Sequence, residues 1–245
     1  MGIPWSVAVP PEVYCEYCGV TMREYHASPE AQMHVQLEGP RILHETFGLP
    51  RRRSVAPDFT TYLTASPFGL EFEVFEDQIP APKGHPITSI EEAAALEAPD
   101  DITTAGDFPR AIEFFHWMKA NAPDDVTVGF SAGGQAPWTT AVVLRGHEIF
   151  VEVVEQPELV HRFLSALTES SIRQRELSAK LTGADLQGRT IGFTDDYGGL
   201  LGPEHFREFD LKYMLRVAGH FNAPTKTTHA ELLQRPHLRL LQDHG

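Results

Sequence analysis

Hydrophobic residues recur along the chain with two different periods, and together these periods predict an α/β fold. Short runs of β-branched and aromatic residues are typical of buried strands, whereas apolar residues at every third or fourth position are typical of helices. The predicted core strands cover residues 5–9, 54–59, 126–130, 190–194 and 224–228, and an edge strand covers residues 68–75. Helical patterns separate most of these strands, so their order favours parallel pairing.

Proline at helix starts and glycine after helix ends set the boundaries of the predicted helices. These helices cover residues 12–18, 29–47, 89–96, 109–120 and 236–242, and others begin at Pro137, Pro157 and Pro203. Gly183 ends the helix that begins at Pro157. Gly39 and Pro40 interrupt the pattern of residues 29–47, which predicts two helices or one broken helix there.

The segment of residues 190–209 changes from a predicted strand to a loop and then to a helix. Asp195, Asp196 and Tyr197 lie at this change, before the helix that begins at Pro203. In a parallel α/β fold that position is the carboxyl edge of the sheet, where ligands bind. The alternative interpretation is that the two aspartates only cap the turn and face solvent.

Two potential metal ligands follow the predicted strand at residues 224–228. His229 and Glu231 are two residues apart, and residues at that spacing in a strand share a face. Imidazole and carboxylate groups both bind zinc. The pattern predicts half of a divalent metal site, with Asp195 or Asp196 approaching from the preceding strand. A strand-end histidine hydrogen-bonded to a neighbouring carboxylate is the alternative interpretation.

Composition and charge argue against two classes of partner. Acidic residues outnumber basic ones 34 to 20, and a formal net charge of -14 argues against a nucleic-acid surface. The sequence shows no signal peptide and no apolar run of about 18 residues, so we expect a cytoplasmic protein without a membrane partner.

Cys15 and Cys18 are the only cysteines. A lone C-x-x-C can be a redox pair or half of a zinc site. A structural zinc site would want a second Cys or His pair at matching spacing, and the sequence has none. The interpretation of two reduced thiols is therefore favoured.

Several segments resemble the uroporphyrinogen decarboxylase superfamily, which also contains the zinc-dependent corrinoid methyltransferases. The likeness is strongest in residues 190–209 and 129–150, and the second segment contains the signature Ala136-Pro137-Trp138-Thr139. Weaker likeness runs through residues 56–59, 85–92 and 183–185, in the family's order. The resemblance implies a TIM (β/α)8 barrel as a single domain over residues 1–245. Only five core strands are predicted, so the barrel is expected to be C-terminally incomplete and to self-associate or bind a partner chain at its open edge.

The resemblance also implies roles for residues around one cavity. The implied catalytic residues are Asp58, Asp195, Asp196 and Tyr197, and Asp58 matches the aspartate with which the decarboxylases bind pyrrole nitrogens. The implied substrate-binding residues are Gly134, Trp138 and Thr139. The implied metal ligands are His229 and Glu231, at the place where the corrinoid methyltransferases have His-x-Cys. Glutamate in place of that cysteine makes the site harder and less suited to a thiol acceptor.

Three functions remain open on the sequence. The leading hypothesis is metal-assisted methyl transfer to or from a small-molecule substrate, with Zn²⁺ as the metal and a corrinoid, on a corrinoid protein, as the methyl carrier. The second is decarboxylation of a porphyrinogen or another carboxylated substrate. It is disfavoured because the decarboxylases have arginines just after the first strand, where residues 9–18 contain none. The third is a non-catalytic remnant that binds a small molecule or a partner chain.

Overall fold

The computed structural model describes residues 9–49, 51 and 53–244, and the fold is α/β with helices predominating. The predicted first strand at residues 5–9 lies outside the described residues, apart from Val9. The helices are α1 (Pro11–Cys18), α2 (Met22–Ala27), α3 (Pro29–Phe47), α4 (Ile90–Ala94), α5 (Phe108–Asn121), α6 (Pro137–Arg145), α7 (Ile149–Glu155), α8 (Pro157–Thr182), α9 (Pro203–His205), α10 (Lys212–His220) and α11 (Arg235–Gln242).

The strands are short in the first half of the chain and longer in the second. They are β1 (Ser54–Val55), β2 (Phe72–Glu73), β3 (Ala81–Pro82), β4 (Thr127–Val128), β5 (Ile191–Asp195) and β6 (Lys226–Ala230). Each of the four predicted core strands among the described residues therefore contains a strand, although β1 and β4 are shorter than predicted. Within the described part of the chain, no helix is long and apolar enough to cross a membrane.

The chain divides into two compact units. Unit 1 comprises residues 1–59, 72–81 and 110–130, and unit 2 comprises residues 60–71, 82–109 and 131–245. The single barrel domain expected over residues 1–245 stays a prediction.

Unit 1 is built around the packing of α1 and α2 on α3. Its small buried cluster contains Cys15, Met22, Tyr25 and Val35. β1 and β4 pair in parallel, with Ser54 opposite Thr127. This pairing agrees with the parallel order that the sequence predicts.

Helix α3 is continuous from Pro29 to Phe47, so the predicted break at Gly39 and Pro40 is wrong. A Cβ atom on Gly39 would lie 2.5 Å from Cδ1 of Tyr14, so α1 packs directly against the helix backbone at this point. Both Gly39 and Pro40 are buried. Tertiary packing thus holds the helix together although Pro40 has no N–H to contribute.

Unit 2 contains the larger core, which surrounds α8. Pro157 occupies the first turn of α8, and Gly183 ends the helix in the left-handed conformation, with φ of 72°. Helices α4, α6, α7 and α10 pack on α8, and the buried residues include Phe163, Leu164 and Leu167. Both ends of α8 agree with the prediction.

The segment after Pro203 differs from the predicted single helix. A π-helical stretch, Phe206–Leu211, separates the short α9 from α10. An extra residue in the turn shifts the side chains that follow it, and such stretches occur often at functional sites.

β5 and β6 pair in parallel along their whole length, from Ile191 opposite Lys226 to Asp195 opposite Ala230. The amide of Ile191 donates to the carbonyl of Thr225, and alternate residues of a parallel strand bond the same partner. The backbone groups of Thr227 and His229 in β6 therefore point toward β5. Lys226, Thr228 and Ala230 turn their backbone groups to the other edge, where no strand among the described residues pairs with them.

We expect the chain to self-associate through this open edge of β6, because unpaired backbone groups favour the addition of another strand. Light scattering should report a dimer or a larger species. Thr228→Pro should reduce the association, since it removes an edge N–H without removing a bond to β5. Thr228→Val keeps that N–H and is the matched control. A wild-type chain that is a stable monomer and unfolds cooperatively would contradict this prediction.

Candidate functional site

The site lies where three neighbouring segments of unit 2 end together. Gln135 forms a parallel bridge with Thr194 on one side of β5, and β6 pairs on the other side. The amide of Ala136 also donates to the carbonyl of Thr194, at 2.8 Å. The carboxyl ends of all three segments therefore meet at one edge, and α6 starts at Pro137 directly after the first of them.

Three potential metal ligands converge at this edge. Asp196, His229 and Glu231 each offer one ligand atom, and these atoms all lie within 4.8 Å of one another. Asp196 Oδ1 and His229 Nε2 are 3.9 Å apart, and the two side chains are 37% and 68% exposed. In a tetrahedral zinc site the ligand atoms are roughly 3.3 Å apart, so small movements of exposed side chains would close this group around an ion.

The donor set fits a divalent metal. One imidazole and two carboxylates are all accepted by zinc, and three protein ligands with an open position are typical of catalytic zinc sites. Of the two aspartates proposed from the sequence, Asp196 joins His229 and Glu231. Burial raises the pKa of the Asp196 carboxyl, His229 lowers it, and the charges of Glu231 and Asp195 raise it further. A bound cation would offset this concentration of negative charge.

Thr139 holds the two aspartates from α6. Its hydroxyl donates to Asp195 Oδ1 at 2.9 Å and accepts from the amide of Asp196 at 3.0 Å. The side chain is fully buried. Thr139 therefore positions the carboxylates, and the substrate-binding role that the resemblance implies for it stays a prediction.

Trp138 and Gly134 also have structural roles. Trp138 is fully buried, with its ring edge-on to Phe150 at a centroid distance of 5.3 Å, so its side chain belongs to the core. The carbonyl of Gly134 accepts a hydrogen bond from the amide of Thr194, at 2.8 Å. Gly134 contributes a backbone bond to the sheet, and the substrate contacts implied for Trp138 and Gly134 stay predictions.

Asp195 faces the interior and lies beside Asp210, which the sequence analysis did not identify. The two residues are 1% and 0% exposed. Asp195 Oδ1 accepts from Thr139 and from the amide of Gly198, at 3.0 Å. Burial and then the charge of Asp195 raise the pKa of Asp210 well above its usual range.

Gly198 and Gly199 allow the turn after β5 to pack tightly. A Cβ atom on Gly198 would lie 2.2 Å from Oδ2 of both Asp195 and Asp210. A Cβ atom on Gly199 would lie 2.3 Å from the carbonyl oxygen of Glu231 and 2.6 Å from the carbonyl carbon of Leu232. Leu232 itself has a φ of 60°, which is rare for a residue with a side chain. This turn therefore fixes the backbone that carries Glu231.

Two tyrosines are near Asp196. Burial raises the pKa of Tyr62, and Tyr197 and Asp196 contribute to the same increase. Thr60, two residues earlier, has a φ of 59°, and its hydroxyl accepts from the amide of Tyr62 at 3.2 Å. A β-branched residue in that conformation is strained, and such strain is concentrated at functional sites. Tyr197 was predicted from its position after β5, whereas no sequence signal identified Tyr62.

Asp58 and the two cysteines belong to unit 1. Tyr25 donates its hydroxyl proton to Asp58 Oδ2 at 3.0 Å, and Gln32 bonds both backbone groups of Asp58. The placement of Asp58 around the same cavity as Asp195 stays a prediction. Burial raises the pKa of the Cys15 thiol to about 12, and burial also raises that of Cys18. Burial thus disfavours a reactive thiolate at either position, and the interpretation of two reduced thiols stays a prediction.

Comparison with known proteins identifies relatives of two kinds. The relatives by sequence include uroporphyrinogen decarboxylases from Cellvibrio japonicus, 29% identical over 171 residues, and from Xylella fastidiosa, 26% identical over 172 residues. The aligned segments cover 65% and 67% of this chain but only 43% and 46% of those enzymes. The chain thus spans less than half the length of these relatives.

A methyltransferase from Methanosarcina mazei has a similar structure, with a TM-score of 0.66 and 20% sequence identity. The superposition covers 92% of this chain and 62% of that protein, and at this identity it shows a shared fold. The family model described as uroporphyrinogen decarboxylase (URO-D) matches residues 5–243. Because that match covers nearly the whole chain, the protein belongs to the uroporphyrinogen decarboxylase (URO-D) family.

Proposed function

We propose that this chain is an enzyme of the methyltransferase branch of its superfamily and carries out metal-assisted methyl transfer. The observation that carries the proposal is the convergence of Asp196, His229 and Glu231 at the carboxyl edge of β5 and β6. The group consists of one imidazole and two carboxylates, and these side chains are suited to binding a cation. The name of the structural neighbour from Methanosarcina mazei is consistent with this branch.

In this proposal Asp196, His229 and Glu231 hold Zn²⁺, which would act as a Lewis acid on the heteroatom of a small-molecule substrate. Neighbouring residues hold the backbone that carries two of these metal ligands. Thr139 bonds the amide of Asp196, and Gly199 packs against the backbone of Glu231. We propose that Tyr62 and Tyr197, which both lie near Asp196, orient the substrate. A corrinoid, bound to a partner protein, would be the methyl carrier.

The donor set favours some substrates over others. Two carboxylates and an imidazole form a harder site than one with cysteine ligands, so we expect an oxygen or nitrogen heteroatom to be preferred over a thiol. We also propose that the strands around the site belong to a TIM (β/α)8 barrel, as the family resemblance implies.

Decarboxylation of a carboxylated substrate is the second candidate, because the sequence relatives are named decarboxylases. The electrostatics of unit 1 oppose a porphyrinogen substrate. Glu12 and Glu16 of α1, together with Glu76 and Asp77, line a cavity of about 320 Å³ in the region where the decarboxylases have arginines. Substrate carboxylates would be repelled by these side chains rather than bound.

The first prediction from the proposed function concerns the metal ligands. Titration of Zn²⁺ into wild type, followed by calorimetry, should show one stoichiometric site. His229→Ala should weaken binding at least about tenfold, because one of three ligands is lost. His220→Ala is the matched control, since His220 is an exposed histidine 2.9 Å from Glu176 Oε1. Equal binding by wild type and His229→Ala, or no stoichiometric binding by wild type, would refute the metal site.

The second prediction concerns the turn. Gly199→Ala should weaken Zn²⁺ binding by about tenfold, because the new Cβ atom would displace the backbone of Glu231 and Leu232. Gly202→Ala is the control, since Gly202 has a φ of -64° and a Cβ atom there would contact nothing within 4 Å. If the two alanine variants bind zinc equally well, the turn does not position Glu231.

The third prediction is that the purified protein does not decarboxylate uroporphyrinogen. Its motive is the absence of arginine from residues 9–18 and the acidic cavity at α1. Chromatography of the reaction products measures conversion to coproporphyrinogen. Steady conversion at ordinary enzyme rates would decide for the second candidate.

A further inference from the structure

The buried pair Asp195 and Asp210 has no counter-charge from a basic side chain among its described contacts. A Cβ atom on Gly198 would lie 2.2 Å from Oδ2 of each residue, so the two oxygens lie close to each other. No hydrogen-bond donor among the described residues reaches Asp195 Oδ2 or either carboxyl oxygen of Asp210. Two buried carboxyl groups in such contact do not both ionise, so one of them holds a proton.

The hydrogen bonds show which residue holds it. Asp195 Oδ1 already accepts two hydrogen bonds, one from Thr139 and one from the amide of Gly198. Asp210 receives no such donor and is fully buried in the π-helical stretch. The proton therefore belongs to Asp210, whose hydroxyl can satisfy the remaining oxygen of Asp195.

We propose that Asp210 is a positioning residue: as a neutral carboxylic acid it donates a hydrogen bond to Asp195 Oδ2 and thereby fixes the turn of residues 195–199. The turn carries Asp196, one of the three potential metal ligands, and Gly199, which packs on the backbone of Glu231. Asp210 is fully buried and acts on the site through Asp195 and Gly198. Its consequence for metal binding rests on the proposed function, whereas its bond to Asp195 does not.

The sequence position of Asp210 explains how it reaches Asp195. It lies in the π-helical stretch Phe206–Leu211, four residues after Phe206 and next to Phe209, and its side chain is buried with theirs. Phe206 and Phe209 of the same stretch are 0% and 1% exposed, so Asp210 enters an otherwise apolar region. A carboxyl group there is tolerated only when it is neutral and hydrogen-bonded.

Three proteins test the proposal: wild type, Asp210→Asn and Asp210→Leu. Asparagine is neutral and can donate to Asp195 from the same place, whereas leucine has similar volume and no donor. In the infrared spectrum at neutral pH, wild type should show the carbonyl band of a buried carboxylic acid, and Asp210→Asn should lack it. Absence of that band from wild type overturns the proposal.

Hydrogen exchange tests the positioning without metal. The amides of Asp196 and Gly198 donate to Thr139 and Asp195 respectively, so their protection reports on the turn. Protection should be kept in Asp210→Asn and lost in Asp210→Leu. Equal protection in both variants would show that the donor at residue 210 has no positioning role.

Zinc affinity tests the consequence for the site. We expect Asp210→Asn to bind Zn²⁺ within about twofold of wild type and Asp210→Leu about tenfold more weakly. If wild type binds no zinc, the proposed function fails, while the infrared and exchange results still decide the role of Asp210. If Asp210→Leu does not fold, the infrared comparison of wild type with Asp210→Asn decides alone.

Discussion

The parallel pairing on both sides of β5 is the constraint on which the site depends. Thr194 bonds Gly134 and Ala136 on one side, and the residues of β5 pair with β6 on the other. Because the three segments run in the same direction, the loops that follow them are held at one edge of the sheet. Asp196 and His229 are 33 positions apart in the sequence, yet this pairing alone brings them to the same place.

Much of this arrangement could be predicted from the sequence, because it depends on local patterns. The change from strand to loop to helix at residues 190–209 predicted where Asp195 and Asp196 lie, and the spacing of His229 and Glu231 predicted their common face. Gly19 and Gly183 end α1 and α8 in the left-handed conformation, as glycine after an apolar helical run indicates. These features involve neighbouring residues and do not depend on distant packing.

The features that could not be predicted depend on distant packing. Helix α3 continues through Pro40 where Tyr14 packs against Gly39, and the conformation of Thr60 is one that its residue type disfavours. Trp138 and Thr139 belong to a family signature, but a signature does not show which side of a helix faces the core, where both residues lie. Asp210 did leave a signal, since it follows Phe206 by four residues and so lies on the apolar face of a regular helix. An acidic residue at such a position indicates a buried partner.

Four carboxyl groups crowd this edge, and the structure separates them into two pairs with different means of neutralisation. Asp195 and Asp210 are buried, so a shared proton neutralises one charge. Asp196 and Glu231 are exposed enough to remain hydrated and have His229 beside them, which suits them to a cation. Asp195 cannot turn outward to join that cation, because Thr139, Gly198 and Asp210 occupy its oxygens. The described residues of this edge therefore offer three ligands, and a metal bound there would keep a coordination position open for water or substrate.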